Sequence, residues 1–339
     1  MKTLILLSIV SASLLWSCGN SKKLDIANIQ RLYIDHNPDQ NINYGKQISA
    51  KVVALMISGE EIVVTNHKKL QINSPKLDFT SSDQVKILGH PTTFNNEVII
   101  AELVMSDKEE TFSATDSVAL NYRGPLHIGE YFRSGSDGED QKNRGTRLVG
   151  RNGKDGDDGP LGENGTNGGN YTVHIWKVEA ESRVKVTNNV SGEVWRYKSV
   201  NNDECVFDFP GGAGGDGGDA GDGGDGKDGK VTEDGSDRTG HGGDGGNGGN
   251  GGNGGHGGIV SVTIHTNASA SAGKVAVNNP GGRNGTYGEG GKAGKGGTAD
   301  TGQVDGLPGL IGVRGVAGSH GNQGPTTVVK VEEFDISTM

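Results

Sequence analysis

Between residues 150 and 324 glycine returns on a beat of three. It holds every third position over 150–168, 240–258, 282–297 and 306–324, and again over 212–224. A second glycine series runs beside the first at 211, 214, 217, 223, 226 and 229, and from 242 to 257. A period of three is neither helical nor strand-like. It matches the left-handed extended helix, which has three residues per turn and no internal hydrogen bonds. Such a segment must satisfy its N–H and C=O groups on neighbours or in water. Backbones approach closely only where no Cβ intervenes, so glycine marks the touching edge. A Gly-x-y rod has one bare edge, and a Gly-Gly-x rod has two. The doubly glycine runs 211–229 and 240–258 are therefore expected at the centre of a bundle, with 150–168 and 306–324 at its periphery. At about 3.1 Å per residue, each rod would be roughly 50–60 Å long.

Of the 61 glycines in 339 residues, 52 lie in 150–324 and 9 before it. The chain thus divides into an ordinary part and a glycine-rich part. Only 31% of the residues are hydrophobic, which argues against one large enzyme core. The net charge of -10 argues against nucleic acid, whose phosphates require clustered Lys and Arg.

Within the runs, Gly306-Leu-Pro-Gly-Leu-Ile-Gly-Val-Arg-Gly-Val-Ala-Gly318 resembles collagen, although Pro160 and Pro308 are the prolines inside the runs. The doubled glycine resembles the polyglycine-II bundles of springtail antifreeze proteins and phage tail-tip adhesins, in which one chain folds back on itself. An intramolecular bundle of five rods is the expected form; a three-chain helix and a disordered segment are the alternatives. Strand-like stretches at 171–178, 183–187, 194–197, 204–209, 259–264, 274–277 and 326–331 carry Trp176, Trp195, Phe207 and Phe209. They are expected to form a small sheet core that clamps the rod ends, giving a polyglycine-II/β domain over 150–339.

Residues 24–134 alternate short apolar runs with turn signals such as Ser58-Gly59 and Ser74-Pro75, the pattern of an antiparallel β-sandwich. The run from Tyr44 to Ala54, followed by Ser58-Gly59-Glu60, resembles bacterial immunoglobulin-like domains. Residues 135–149 are polar and patternless and read as a linker. The expected fold is mainly β, essentially without α-helix.

At the N-terminus, Lys2 precedes an apolar stretch from Leu4 to Trp16, of secretory length and too short to span a bilayer. Leu15-Trp16-Ser17-Cys18 resembles the lipobox of bacterial lipoproteins. The resemblance implies a signal peptide over 1–17, acylation of Cys18, and a tether over 18–23. Gly19 after the cysteine implies outer-membrane sorting, with the cell surface expected over the periplasmic face. Cys205 is then the remaining cysteine, and it reads as a small buried hydrophobe.

Chemistry-bearing patterns are sparse. Asp216, Asp219, Asp222, Asp225 and Asp228 share one edge at roughly 9 Å spacing. They read as a solvated row, with weak Ca²⁺ bridging between rods as the alternative. His241, Asn247, Asn250, Asn253 and His256 form a second exposed edge and a candidate glycan contact. Leu307, Leu310, Val313 and Val316 make one apolar stripe, a candidate partner-facing surface whose packing within the chain is the expectation. Gly240-His-Gly-Gly-Asp-Gly245 fits a dinucleotide pattern but is followed by no helix. No catalytic constellation and no cofactor motif stands out.

The expectation is a non-enzymatic outer-membrane lipoprotein, a structural or partner-docking subunit of an envelope complex for outer-membrane assembly, transport or motility. Its partners would be other envelope proteins, and the membrane through the lipid on Cys18. The alternative is a surface adhesin or glycan-binding module that meets polysaccharide.

Overall fold

The computed structural model describes residues 24–95, 97–145, 152–232, 235–236, 239–300, 304–325 and 329–339. The expected signal segment 1–17, Cys18 and the rest of the tether lie outside these residues. The described chain is mainly β. Its helical pieces are 3-10 turns at Ile26–Asn28, Thr266–Lys274 and Ile336–Thr338.

The first half contains β1 (Ile29–His36), β2 (Gln47–Met56), β3 (Glu61–Val63), β4 (Leu70–Asn73), β5 (Leu77–Phe79), β6 (Gln84–Ile87), β7 (Val98–Ser106) and β8 (Thr111–Ala119). One antiparallel sheet runs β1-β2-β6-β5 with β3 on β2, and a second runs β4-β7-β8. Period-two alternation points Ile48, Ala50, Val52 and Ala54 of β2, and Ile99, Ala101, Leu103 and Met105 of β7, into a common core.

The second half adds β9 (Leu126–Gly129), β10 (Asn170–Val178), β11 (Glu181–Asn188), β12 (Val194–Val200), β13 (Cys205–Asp208), the two-residue strands β14 (Val231–Thr232) and β15 (Gly235–Ser236), β16 (Ile259–His265), β17 (Val275–Asn278) and β18 (Val329–Glu332). Strands β9, β13 and β17 form a parallel sheet in the order β17-β13-β9. A mixed sheet runs β12-β11-β10-β16-β18, parallel from β10 onward. Tyr171, Trp195, Phe207 and Phe209 are buried here, in the same hydrophobic cluster as the first half.

Six extended segments project from these two sheets: rod 1 (133–145), rod 2 (152–168), rod 3 (211–229), rod 4 (240–258), rod 5 (281–298) and rod 6 (304–325). Each bonds sideways to its neighbours through one backbone N–H in every triplet or more. Rods 1, 3 and 5 run parallel in one layer, with Gly135 N–H on Ala213 and Gly214 N–H on Arg283. Rods 2, 4 and 6 run parallel in the other, with Gly156 N–H on Asp244 and Gly245 N–H on Leu310. Between layers the rods are antiparallel: Gly218 donates to Pro160, Gly246 to Gly221, and Gly312 to Gly291. Rods 3 and 4, the doubly glycine runs, each bond to four others; rods 1 and 6 bond to two.

The segment expected to be a linker is thus laid into the bundle over its described part. Gly135, Gly138, Gln141 and Arg144 donate to Ala213, Asp216, Asp219 and Asp222 of rod 3 at 2.8–3.1 Å. It is a sixth rod beyond the five expected, and it moves rod 2 inward from the periphery.

Each layer of rods is the continuation of a parallel sheet. Strands β9, β13 and β17 lead into rods 1, 3 and 5, whereas rods 2, 4 and 6 lead toward β10, β16 and β18. The register passes across the junction: Gly129 pairs with Asp208, and eight residues on Asp137 lies beside Asp216. One lateral bond contributes about 0.5–1.5 kcal/mol net, against about 1–2 kcal/mol to order one backbone residue. Rods therefore hold as a many-sided bundle whose alignment is set by strands anchored in an apolar core.

Candidate functional site

The outer faces of the two rod layers carry ladders of side chains. On one face Asp137, Asp140 and Asn143 accept, through Oδ1, the N–H groups of Asp216, Asp219 and Asp222. Asp216, Asp219, Asp222, Asp225 and Asp228 in turn accept from Thr286, Glu289, Lys292, Lys295 and Thr298 at 2.7–2.8 Å. On the other face Asn152, Asp155, Asp158, Asn164 and Asn167 accept from His241, Asp244, Asn247, Asn253 and His256. The next rung passes from His241 Nδ1, Asp244, Asn247, Asn250, Asn253 and His256 Nδ1 to the N–H groups of rod 6.

This changes the reading of two predicted edges. The aspartate row is not a freely solvated edge: each Oδ1 is spent on a backbone donor of the next rod. The N–H and hydroxyl of Thr286 hold the Asp216 carboxyl below the usual carboxylate range, and those of Thr298 do the same for Asp228. Among the described residues, no three His, Cys, Asp or Glu side chains gather as a metal site. His241, Asn247, Asn250, Asn253 and His256 are exposed, but they too are rungs of a ladder. Rods place one N–H per triplet on the outer face, where no glycine carbonyl can reach it, and a short Asx side chain closes that gap. The signal was in the sequence, as Asp or Asn on the triplet beat, but it reads as a bond only once the next rod is in place.

The ladder explains the composition of rod 6. The N–H groups of its positions 307, 310, 313, 316, 319 and 322 donate to side chains of rod 4, and these positions have no following rod to serve, so no acceptor side chain is needed there. Leu307, Leu310, Val313 and Val316 occupy four of them and are 66, 73, 69 and 69% exposed. The stripe does not pack within the described chain, contrary to expectation. It lies on the outer face with its backbone donors already satisfied.

Cys205 is buried in β13, and burial pushes its thiol up to about 12, far from a reactive thiolate.

A cleft of about 390 Å³, not foreseen from the sequence, opens where the two halves meet. It is lined by the loop before β2, the end of β6, β9, Tyr197 of β12 and the ends of β13 and β17. His90 stacks on Trp195 with centroids 3.7 Å apart, and the Tyr197 hydroxyl lies 2.5 Å from its Nδ1. Glu130 accepts the hydroxyl of buried Tyr171, and Asp208 accepts Asn278 Nδ2 at 2.9 Å. Burial lowers the pKa of His90; desolvation, then the nearby Lys46, lowers that of His127. Sequence reasoning missed the cleft because its residues come from segments far apart in the chain, none of them in a motif.

Comparison of the chain with protein-family models, with curated proteins and with solved structures returns no match.

Proposed function

We propose that this chain is a non-enzymatic, lipid-anchored protein of the outer membrane that holds a rigid polyglycine-II arm against other envelope proteins. The first half, read as an immunoglobulin-like module, is the spacer between the lipid on Cys18 and the arm. The observation that carries the reading is the line Leu307, Leu310, Val313 and Val316: four exposed apolar side chains at a fixed triplet interval, on a backbone whose register is bonded to its neighbours. Such a surface costs free energy in water and gains it against a second apolar strip. Because the scaffold is already ordered, association spends little on immobilising it. The partner is an envelope protein that offers an apolar ridge or groove along the rod.

A photoreactive amino acid at Leu310 in intact cells should form one discrete adduct with a membrane protein. The same probe at Lys292, on the opposite layer, should form none, and Val313→Asp should abolish the adduct. No adduct at Leu310, together with a monomeric chain after mild detergent extraction, would overturn the docking role. The anchor is tested separately: Cys18→Ser should move the chain from the membrane fraction to the soluble one.

A further inference from the structure

The cleft between the halves has the lining of a ligand site, and the docking reading does not use it. Its floor includes buried Ile87 and Ile128, and its walls carry both signs of charge: Lys46, Lys86, Glu130 and Asp208. These four form no ion pair among the described residues, although they share one cavity. Lys46 is half-buried with no hydrogen-bond acceptor for its ammonium among those residues, and burial lowers its pKa. Each carboxylate has one bond to a protein donor and keeps further lone pairs. Tyr131 stands at the rim, 75% exposed, with Lys86 Nζ 5.4 Å from its ring centroid.

The chemistry narrows the occupant. A phosphate would meet Glu130 and Asp208 as well as the lysines. An acyl chain would have to desolvate four charges. A hydroxyl-rich ring suits the set, because each hydroxyl donates one bond and accepts two. Adjacent hydroxyls of one ring can serve an ammonium and a carboxylate together, while the C–H face of the ring lies on an aromatic surface. The volume lies within the range of small-molecule sites, and a junction between two halves of a chain is a common place for one.

We propose that this cleft binds a single saccharide residue, with Lys46, Lys86 and Asp208 on its hydroxyls and Tyr131 under its ring. The proposal stands apart from the docking reading, since it involves neither the rod stripe nor the lipid.

Ligand-observed NMR on the full mature chain in detergent tests it, with glucose, galactose, N-acetylglucosamine and galacturonate as probes and inorganic phosphate as comparison. At least one sugar should bind saturably. Tyr131→Ala, at an exposed position, and Lys86→Ala, which removes a half-buried ammonium and leaves the β6 backbone pairing in place, should each weaken it about tenfold at unchanged thermal stability. Asn250→Ala, on the outer face of rod 4, should leave it unaltered. Binding of none of the four sugars, binding of phosphate alone, or sugar binding indifferent to both cleft variants would each overturn the assignment.

Discussion

Asn247 Oδ1 accepts the backbone N–H of Val313 at 3.0 Å, while the N–H of Asn247 is itself donated to Asp158 Oδ1 at 2.6 Å. One residue thus joins three rods, as acceptor on one side and donor on the other. Asn247→Ala keeps the donor and removes the acceptor, leaving Val313 to water. The expected loss is about 0.5–1.5 kcal/mol in urea denaturation, with Asn247→Asp, which retains the oxygen, close to wild type.

The ladder between rods 2 and 4 has one missing rung. Leu161 occupies the triplet position where Asp158 and Asn164 supply acceptors, and the N–H of Asn250 has no acceptor among the described residues. Leu161 is exposed, so little packing is lost by changing it. Leu161→Asn should stabilise the chain by about 0.5–1.5 kcal/mol and slow exchange of the Asn250 amide. An unchanged amide would show that the ladder is incidental to the bundle.

Glycine is required in the rods for clearance. A Cβ on Gly249, in central rod 4, would lie 1.9 Å from the Pro160 carbonyl oxygen; one on Gly273 would meet nothing within 4 Å. Gly249→Ala forces rods 2 and 4 apart and should cost about 1–3 kcal/mol or more. Gly273→Ala should be near neutral. Equal melting temperatures for the two variants would contradict the close contact of the rods.

The aromatic junction makes stability pH-dependent. Burial holds His90 below the ordinary histidine value, against the opposing pull of Glu193 and Glu130, with Tyr197 as its hydroxyl partner. As pH falls through about 6.5 the unfolded chain takes up the proton, whereas the native ring does so only at its lower value. The stability in question is complete above about pH 6.5, declines as pH falls toward the native value, and is level below it. His90→Gln should make the decline in melting temperature between neutral pH and about pH 5 shallower. His127 and His174, also lowered chiefly by desolvation, keep part of the slope.

Several elements were legible because their cause is local. Alternation in Gln47–Met56 and Val98–Ser106 marks the inner faces of strands whichever strand lies beside them. Doubled glycine in 211–229 and 240–258 marks rods bare on two edges, and these occupy the four-neighbour positions. Rod 1 was not legible because its contact with rod 3 loosens along its length: a Cβ on Gly215 would be 2.0 Å from Ser136 O, and one on Gly218 2.6 Å from Glu139 O. A Cβ on Gly221 would be 2.7 Å from Lys142 O of rod 1, whereas one on Gly246 would be 2.1 Å from Asp157 O of rod 2. The looser contact admits Gln141 and Arg144 after Gly135 and Gly138, so the glycine beat stops after two positions while Asp137, Asp140 and Asn143 continue the Asx beat.

By itself the sequence determined the conformational period of each segment and which of its edges is free of Cβ, because sterics and backbone geometry act within a few residues. The tertiary structure alone decided which rod lies beside which. Lateral bonds between glycine backbones carry no identity, so any rod could pair with any other until β9, β13 and β17, with β10, β16 and β18, fixed the order and register. That choice turned the Asp and Asn rows into rungs, left the rod 6 stripe uncovered, and gathered Lys46, Tyr131 and Asp208 around one cleft.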